Sequence, residues 1–100
     1  MRYFTVMHTI SRKRLREFWK VHPDSEVPLA AWYKLMDKGR YRNFAELRAT
    51  FPGVDNVGDL FVFNIGGNKY RLIAAIDFKG EMVFIKAVLT HREYDRGGWK

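Results

Sequence analysis

The run from Leu60 to Ile76, LFVFNIGGNKYRLIAAI, constrains the fold more than any other part of the chain. Two segments rich in β-branched and aromatic residues flank Gly66-Gly67-Asn68, the composition of a β-hairpin and its turn. Side chains alternate across a strand, so the second segment can be read by parity. If Tyr70, Leu72, Ala74 and Ile76 face a core, then Lys69 and Arg71 project together on the opposite face, with Ile73 and Ala75 beyond them. The same reading turns Phe61, Phe63 and Ile65 inward and Asn64 outward. These seventeen residues include no carboxylate, although the chain has eleven. Two cations on one strand face with no acid nearby form a small anion site.

Length and composition narrow the setting. One hundred residues suffice for one domain with a single core, so 1–100 is read as one unit. Hydrophobic content of 47% and aromatic content of 16% place the chain among globular rather than disordered sequences. Without cysteine there is neither a disulfide framework nor a thiolate metal site. The apolar runs are too short to cross a bilayer and no segment resembles a cleavable signal, so a soluble, cytoplasmic protein with no membrane partner is expected. Lys and Arg outnumber Asp and Glu by 18 to 11, a net charge of +7 and a pI near 9.9. That surplus favours a polyanionic partner, either nucleic acid or an acidic protein segment; a basic surface kept for solubility is the ordinary alternative.

In chain order, Met1 to Val6 read as an extension, with Met7 an equally good start. Met7 to Ile10 is a short strand candidate, and Ser11 is placed to cap a helix from Arg12 to Val21. Leu15, Phe18 and Trp19 form that helix's narrow apolar face, opposite Arg12, Lys13, Arg16 and Lys20. His22-Pro23-Asp24-Ser25 breaks it. A second helix is expected from Pro28 to just before Gly39, burying Leu29, Trp32, Leu35 and Met36 and leaving Lys34 and Lys38 outside. Asn43 to Glu46 resembles a capping box for a short helix, and Val54 to Asp59 reads as a loop. Beyond the hairpin, Met82 to Leu89 is a strand whose Val83, Ile85, Ala87 and Leu89 share the core face, leaving Lys86 beside Lys69 and Arg71. Thr90-His91-Arg92-Glu93 is a second capping box, opening a short helix that carries Tyr94 and Asp95. Residues 96–100 are expected to form a flexible tail. The fold class is therefore α+β: a small antiparallel sheet, two N-terminal helices on one face, and an open basic face edged by His91 to Asp95.

The residues favour some chemistries over others. His8, His22 and His91 are scattered, and no metal-ligand spacing is present, so neither a metal nor a cofactor is expected. Gly66-Gly67 leads into a strand rather than a helix, unlike a phosphate loop. Ser11 and Ser25, the only serines, sit at predicted helix starts. What the residues permit is RNA cleavage in which the ribose 2′-hydroxyl attacks the adjacent phosphate. That reaction needs a base, an acid and cations to stabilise the phosphorane. Lys69, Arg71 and Lys86 supply charge; His91 and Tyr94 are the proton-transfer candidates. A capping or packing role for His91 and Tyr94 is the plainer reading, and Asp95 paired with Arg71 or Lys86 would make the set structural.

Two motifs carry a resemblance. Phe63-Asn64-Ile65-Gly66-Gly67-Asn68-Lys69-Tyr70-Arg71-Leu72-Ile73 and Thr90-His91-Arg92-Glu93-Tyr94-Asp95 are similar to the pattern of HigB-type toxins, within the RelE-like superfamily. Ile10 to Trp19 and Pro28 to Tyr33 resemble the same family, so the likeness spans Met7 to Asp95. It implies a RelE-like, microbial-RNase-like fold. It also implies an mRNA interferase acting on messenger RNA in the ribosomal A site, neutralised by a HigA-type helix-turn-helix antitoxin. The catalytic candidates are then Arg71, His91, Tyr94 and Lys69, and the RNA-contacting candidates Asn64, Asn68, Lys86, Arg48 and Lys34. A non-catalytic RNA- or ribosome-binding module, or a relative that poisons a protein such as DNA gyrase, are the alternatives. Electrostatics leads us to expect an acidic or amphipathic antitoxin surface on the basic helices or the open sheet face.

Overall fold

In the computed structural model, which describes residues 7–100, the hairpin forms the middle of a five-stranded sheet. The expected extension Met1 to Val6 lies outside the described residues. The strands are β1 (His8–Ile10), β2 (Asp55–Val57), β3 (Leu60–Ile65), β4 (Tyr70–Asp77) and β5 (Met82–Thr90), in the order β1-β5-β4-β3-β2. All neighbours are antiparallel except β1, which runs parallel to β5, so the expected antiparallel sheet is mixed at one edge. The segment read as a loop, Val54 to Asp59, holds the edge strand β2. Its polar sequence hides a tight return to β3, in which the Asn56 side-chain amide donates to the Gly58 and Leu60 carbonyls, both at 3.0 Å.

Helices α1 (Lys13–Val21) and α2 (Glu26–Lys38) cover one sheet face, joined by a 3-10 turn at Pro23–Ser25. Helix α3 (Phe44–Thr50) follows α2, and α4 (His91–Arg96) follows β5. The helices meet the sheet through Leu15, Leu29, Trp32, Met36 and Leu47, packed against Phe63, Leu72, Ala74, Val83 and Ile85. Two rings pack edge-on against Phe63: Trp32, with centroids 5.3 Å apart, and Phe51, at 5.1 Å. Such pairs add to area burial because each positive ring edge meets a negative ring face.

Several boundaries differ from the sequence reading. Ser11 does not cap α1 with its side chain. It takes a left-handed backbone (φ +73°), its carbonyl accepts the Arg14 N–H at 2.9 Å, and Arg12 is the cap residue. Helix α2 begins two residues before Pro28, because the 3-10 turn feeds directly into it. The buried Ser25 hydroxyl donates to the His22 carbonyl at 2.6 Å and fixes that junction. Leu35, expected in the buried stripe of α2, is 50% exposed. At 100° per residue it lies on the flank of the line through Leu29, Trp32 and Met36. Asn43 caps α3 as expected, its side-chain oxygen accepting the Glu46 N–H at 2.9 Å. The Glu46 carboxylate turns instead to the Arg42 N–H, so the box is half formed. The expected flexible tail folds back: after Gly97, left-handed at φ +76°, the Trp99 indole N–H donates to the Tyr94 carbonyl at 2.9 Å.

The largest departure concerns β5. Ile85 stands opposite Ala74, yet Ala87, not Lys86, stands opposite Ile73. Lys86 is thus the extra residue of a β-bulge, and parity reverses beyond it. Val83 and Ile85 face the core as expected. After the bulge, Val88 lies opposite the core residue Leu72, while Ala87 and Leu89 lie opposite Ile73 and Arg71, off the core face. The face away from the helices is also less open than expected, since the cross-strand pair Val62 and Ile73 is buried there.

Gly39 closes α2 with an ordinary backbone (φ −80°), so its role is spatial. A Cβ there would collide with the Tyr41 ring, and that ring is buried, with its hydroxyl donating to the Leu35 carbonyl at 3.0 Å. Gly39→Ala is expected to cost about 1–3 kcal/mol through overpacking. Thermal melting measures it, and an unchanged midpoint would contradict the assignment.

Candidate functional site

The site gathers where β4 begins and β5 ends. Antiparallel register sets Tyr70 opposite Thr90 and Arg71 opposite Leu89, while Asn64 of β3 stands opposite Arg71 on its other side. Neighbouring strands lie about 4.8 Å apart, so Asn64 and Arg71 share the sheet face away from the helices, with the Asn64 amide lying over Gly53. Arg71 is half-buried, and one of its N–H groups donates to the Tyr70 carbonyl at 3.2 Å. A guanidinium has five donors, and among the described residues no carboxylate forms an ion pair with this one.

Helix α4 starts immediately after β5 because Thr90 and Glu93 form the predicted capping box. The Glu93 carboxylate accepts the Thr90 N–H at 2.9 Å, and the Thr90 hydroxyl accepts the Glu93 N–H at 3.2 Å. The cap fixes the direction of the helix, so His91 and Tyr94, three residues apart, lie on one side of it. The Tyr94 ring sits beneath Arg71, 5.3 Å from ring centroid to guanidinium carbon, and stacks on Trp99 at 5.0 Å and 13°. The imidazole of His91 is half-exposed, with Nδ1 3.0 Å from an Asp95 carboxylate oxygen. With its proton on Nδ1 pointing at that carboxylate, neutral His91 presents a free lone pair on Nε2. Asp95 therefore orients His91 rather than neutralising Arg71 or Lys86. The pairing was legible as an i,i+4 spacing at a helix start, and sequence reasoning missed it.

Lys69 does not belong to this group. It lies in the turn before β4, and its Nζ sits 2.6 Å from Asp24 Oδ2, on the connection between α1 and α2. The Tyr70 hydroxyl donates to the other Asp24 oxygen, also at 2.6 Å. The expectation of two cations side by side with no acid in reach fails because the acid comes from 45 residues away in sequence. Lys86 is exposed at the bulge, three residues before the partner of Arg71, about 10 Å along the strand. Asn64 and Asn68 line an open groove of about 460 Å³ beside Phe51, Pro52 and Gly53. Arg48 on α3 and Lys34 on α2 are exposed on elements that pack against the opposite sheet face, away from Arg71. The structure thus sets Arg71 over Tyr94, on the short helix that also carries His91, places Asn64 opposite Arg71 in the ladder, and leaves Lys69, Lys86, Arg48 and Lys34 apart.

Asp24 lies at the centre of three shifted titrations. The hydrogen bond from Lys69, then that from Tyr70, holds its carboxyl below the ordinary 3.8. The same bonds raise Lys69 above 10.5 and Tyr70 above 10.0.

These features belong to a RelE-like toxin. The profile of the HigB toxin family, described as the RelE-like toxic component of a toxin–antitoxin system, matches residues 25–97, and the chain belongs to that family. It is 36% identical to the mRNA interferase toxin HigB of Escherichia coli K12, over 89% of this chain and 88% of that protein. The mRNA interferase HigB of Shigella flexneri shows the same identity and coverage, and that of Escherichia coli O6:H1 is 31% identical over 90% of both chains. No helix among the described residues is long and apolar enough to cross a membrane.

The Asp24 cluster has a pH signature with a definite sign. A carboxyl lowered by folding stabilises the protein above pH 3.8, and the contribution is lost as pH falls through the lower folded value. Groups raised by folding stabilise it below pH 10.0, and that part is lost as pH rises through their folded values. Urea midpoints of wild type and Asp24→Asn should therefore differ by a constant amount across neutral pH and converge at both extremes. A difference that persists at the acid end would rule out the Asp24 cluster as its source.

Proposed function

We propose that this toxin is an mRNA interferase, an endonuclease that cuts messenger RNA and thereby stops translation. The observation that carries the reading is the cluster itself. A guanidinium free of acid partners among the described residues lies over Tyr94, one helical turn from a histidine oriented by a carboxylate. The names of the relatives support it, since each is called an mRNA interferase. In the reaction the 2′-oxygen bonds to phosphorus as the bond to the 5′-oxygen breaks, leaving a cyclic phosphate and a free 5′-hydroxyl. One proton leaves the 2′-hydroxyl and one reaches the 5′-oxygen; His91 and Tyr94 transfer them. Arg71 stabilises the charge that builds on the phosphorane, as preorganised donors do wherever charge develops. Asn64 contacts the RNA beside Arg71, and Asn68 lies further along the same groove.

The net charge of +7 draws the protein to RNA, and the substrate we assign is messenger held in the ribosomal A site, in the cytoplasm. His91→Ala should slow cleavage about 10²–10⁴-fold and Arg71→Ala about 10²–10³-fold, the ranges for one proton-transfer group and one charge-stabilising donor. Mapping 5′ ends of cellular RNA after induction checks this. New ends that vanish in both variants support cleavage. Unchanged transcripts with translation arrested would favour a ribosome-binding module, and DNA-damage signalling a gyrase poison.

We assign the partner as an acidic helix of a HigA-type, helix-turn-helix antitoxin lying along the outer faces of α1 and α2. Arg12, Lys13, Arg16 and Lys20 border that surface, and on α2 Val27 (78% exposed) and Leu35 (50%) lie two turns apart beside Lys34 and Lys38. Val27→Glu combined with Leu35→Glu should abolish co-purification of the antitoxin while leaving toxicity intact. Retained binding would move the interface to the sheet's other face.

A further inference from the structure

The contacts of Asp24 run beyond the helix layer to the residues of the site. Its carboxylate receives Lys69 Nζ on one oxygen and the Tyr70 hydroxyl on the other. Lys69 is a junction. Its side chain reaches Asp24, while its backbone carbonyl accepts the His91 N–H at 3.2 Å, the first amide of α4. Tyr70 is a second junction: its hydroxyl is held by Asp24 and its carbonyl accepts Arg71. The Tyr70 ring is gripped from the same side, edge-on to Phe18 at 5.2 Å and beside His22 at 5.4 Å. The turn that precedes these residues is short and glycine-rich, closed by the ladder pair Ile65 and Tyr70. Gly66 and Gly67 both adopt positive φ, and within the turn the Lys69 N–H donates to the Gly66 carbonyl at 3.3 Å.

We propose that Asp24 is a positioning residue for the site: by clamping Lys69 and Tyr70 it fixes the hairpin end against which His91 and Arg71 are set. It also draws the Lys69 ammonium to the helix side, so that a phosphate arriving at the other face meets Arg71 without competition from a neighbouring cation. Asp24 touches no reacting group, and its effect passes through two backbone carbonyls. Misplacing a reacting group by about an ångström can cost up to roughly a hundredfold in rate, so a partial loosening should be worth about tenfold.

The inference rests on the nuclease reading for its kinetic arm but not for its structural one. The experiment compares wild type, Asp24→Asn, Asp24→Glu and Tyr70→Phe in steady-state cleavage of messenger on purified ribosomes, with hydrogen exchange at the His91 amide. Asp24→Asn should lower kcat about tenfold with KM changed less than about twofold, and speed His91 amide exchange about tenfold. Asp24→Glu should recover most of the rate. Tyr70→Phe keeps the packed ring and loses one of the two bonds, so it should fall between and serves if Asp24→Asn does not fold. A kcat within about twofold of wild type in Asp24→Asn, or a lowered kcat with His91 exchange unchanged, overturns the proposal. If wild type itself leaves messenger intact, the nuclease reading fails, and the clamp stands or falls on the amide exchange alone.

Discussion

The ladder between β4 and β5, with its single bulge at Lys86, is the constraint on which the site depends. Up to Ile85 the alternation of β5 matches a strand with one buried face, and a regular continuation would have turned Ala87 and Leu89 toward the helices. The extra residue reverses that pattern, so Val88 rather than Leu89 lies opposite the core residue Leu72. Thr90 then ends the strand opposite Tyr70, where its capping box sets the start of α4. A one-residue change of register moves every later side chain to the other face. The position of His91 and Tyr94 relative to Arg71 is therefore an outcome of where the bulge falls. Bulges near active regions redirect side chains in this way.

That dependence explains which parts of the fold could be read in the sequence. The hairpin was legible because its alternation and its Gly-Gly turn are local, and Phe61, Phe63, Ile65, Leu72 and Ala74 are all buried. The helices were legible from spacing and end signals, with the start of α2 and the flanking Leu35 as the exceptions. The bulge was not legible: Ile85-Lys86-Ala87 alternates as cleanly as any regular strand, and only the partner strand reveals that Lys86 has no opposite number. β2 was hidden for a related reason, since an edge strand of three residues has little apolar signal to offer.

The site divides along the same line. Arg71, Tyr94 and His91 were picked out individually, and the capping box at Thr90 gave the start of α4. Their meeting depends on register and on the clamp, neither of which has a local signature. Strand parity says nothing about a turn residue such as Lys69, whose carboxylate partner arrives from Asp24 in a distant segment. By sequence alone Asp95 can pair with Arg71 or Lys86. The i,i+4 geometry of α4 gives it to His91 instead, which changes its part from cancelling charge to orienting a ring.

The distribution of acids explains why the Arg71 charge survives in a folded protein. Around the site each carboxylate has a local partner: Glu93 takes the Thr90 N–H, Asp95 takes His91, and Asp24 takes Lys69 and Tyr70. On the outer turns, Asp77 accepts the Gly80 N–H and Glu46 binds Arg42. A carboxylate already held by a backbone amide or a fixed cation would have to give up that bond to reach a guanidinium elsewhere. Arg71 is instead retained over the face of Tyr94 and beside a backbone carbonyl, contacts that hold its plane without cancelling its charge. Among the described residues no carboxylate competes for its donors. The unpaired charge of Arg71 thus follows as much from where the acids are tied as from where the cations stand.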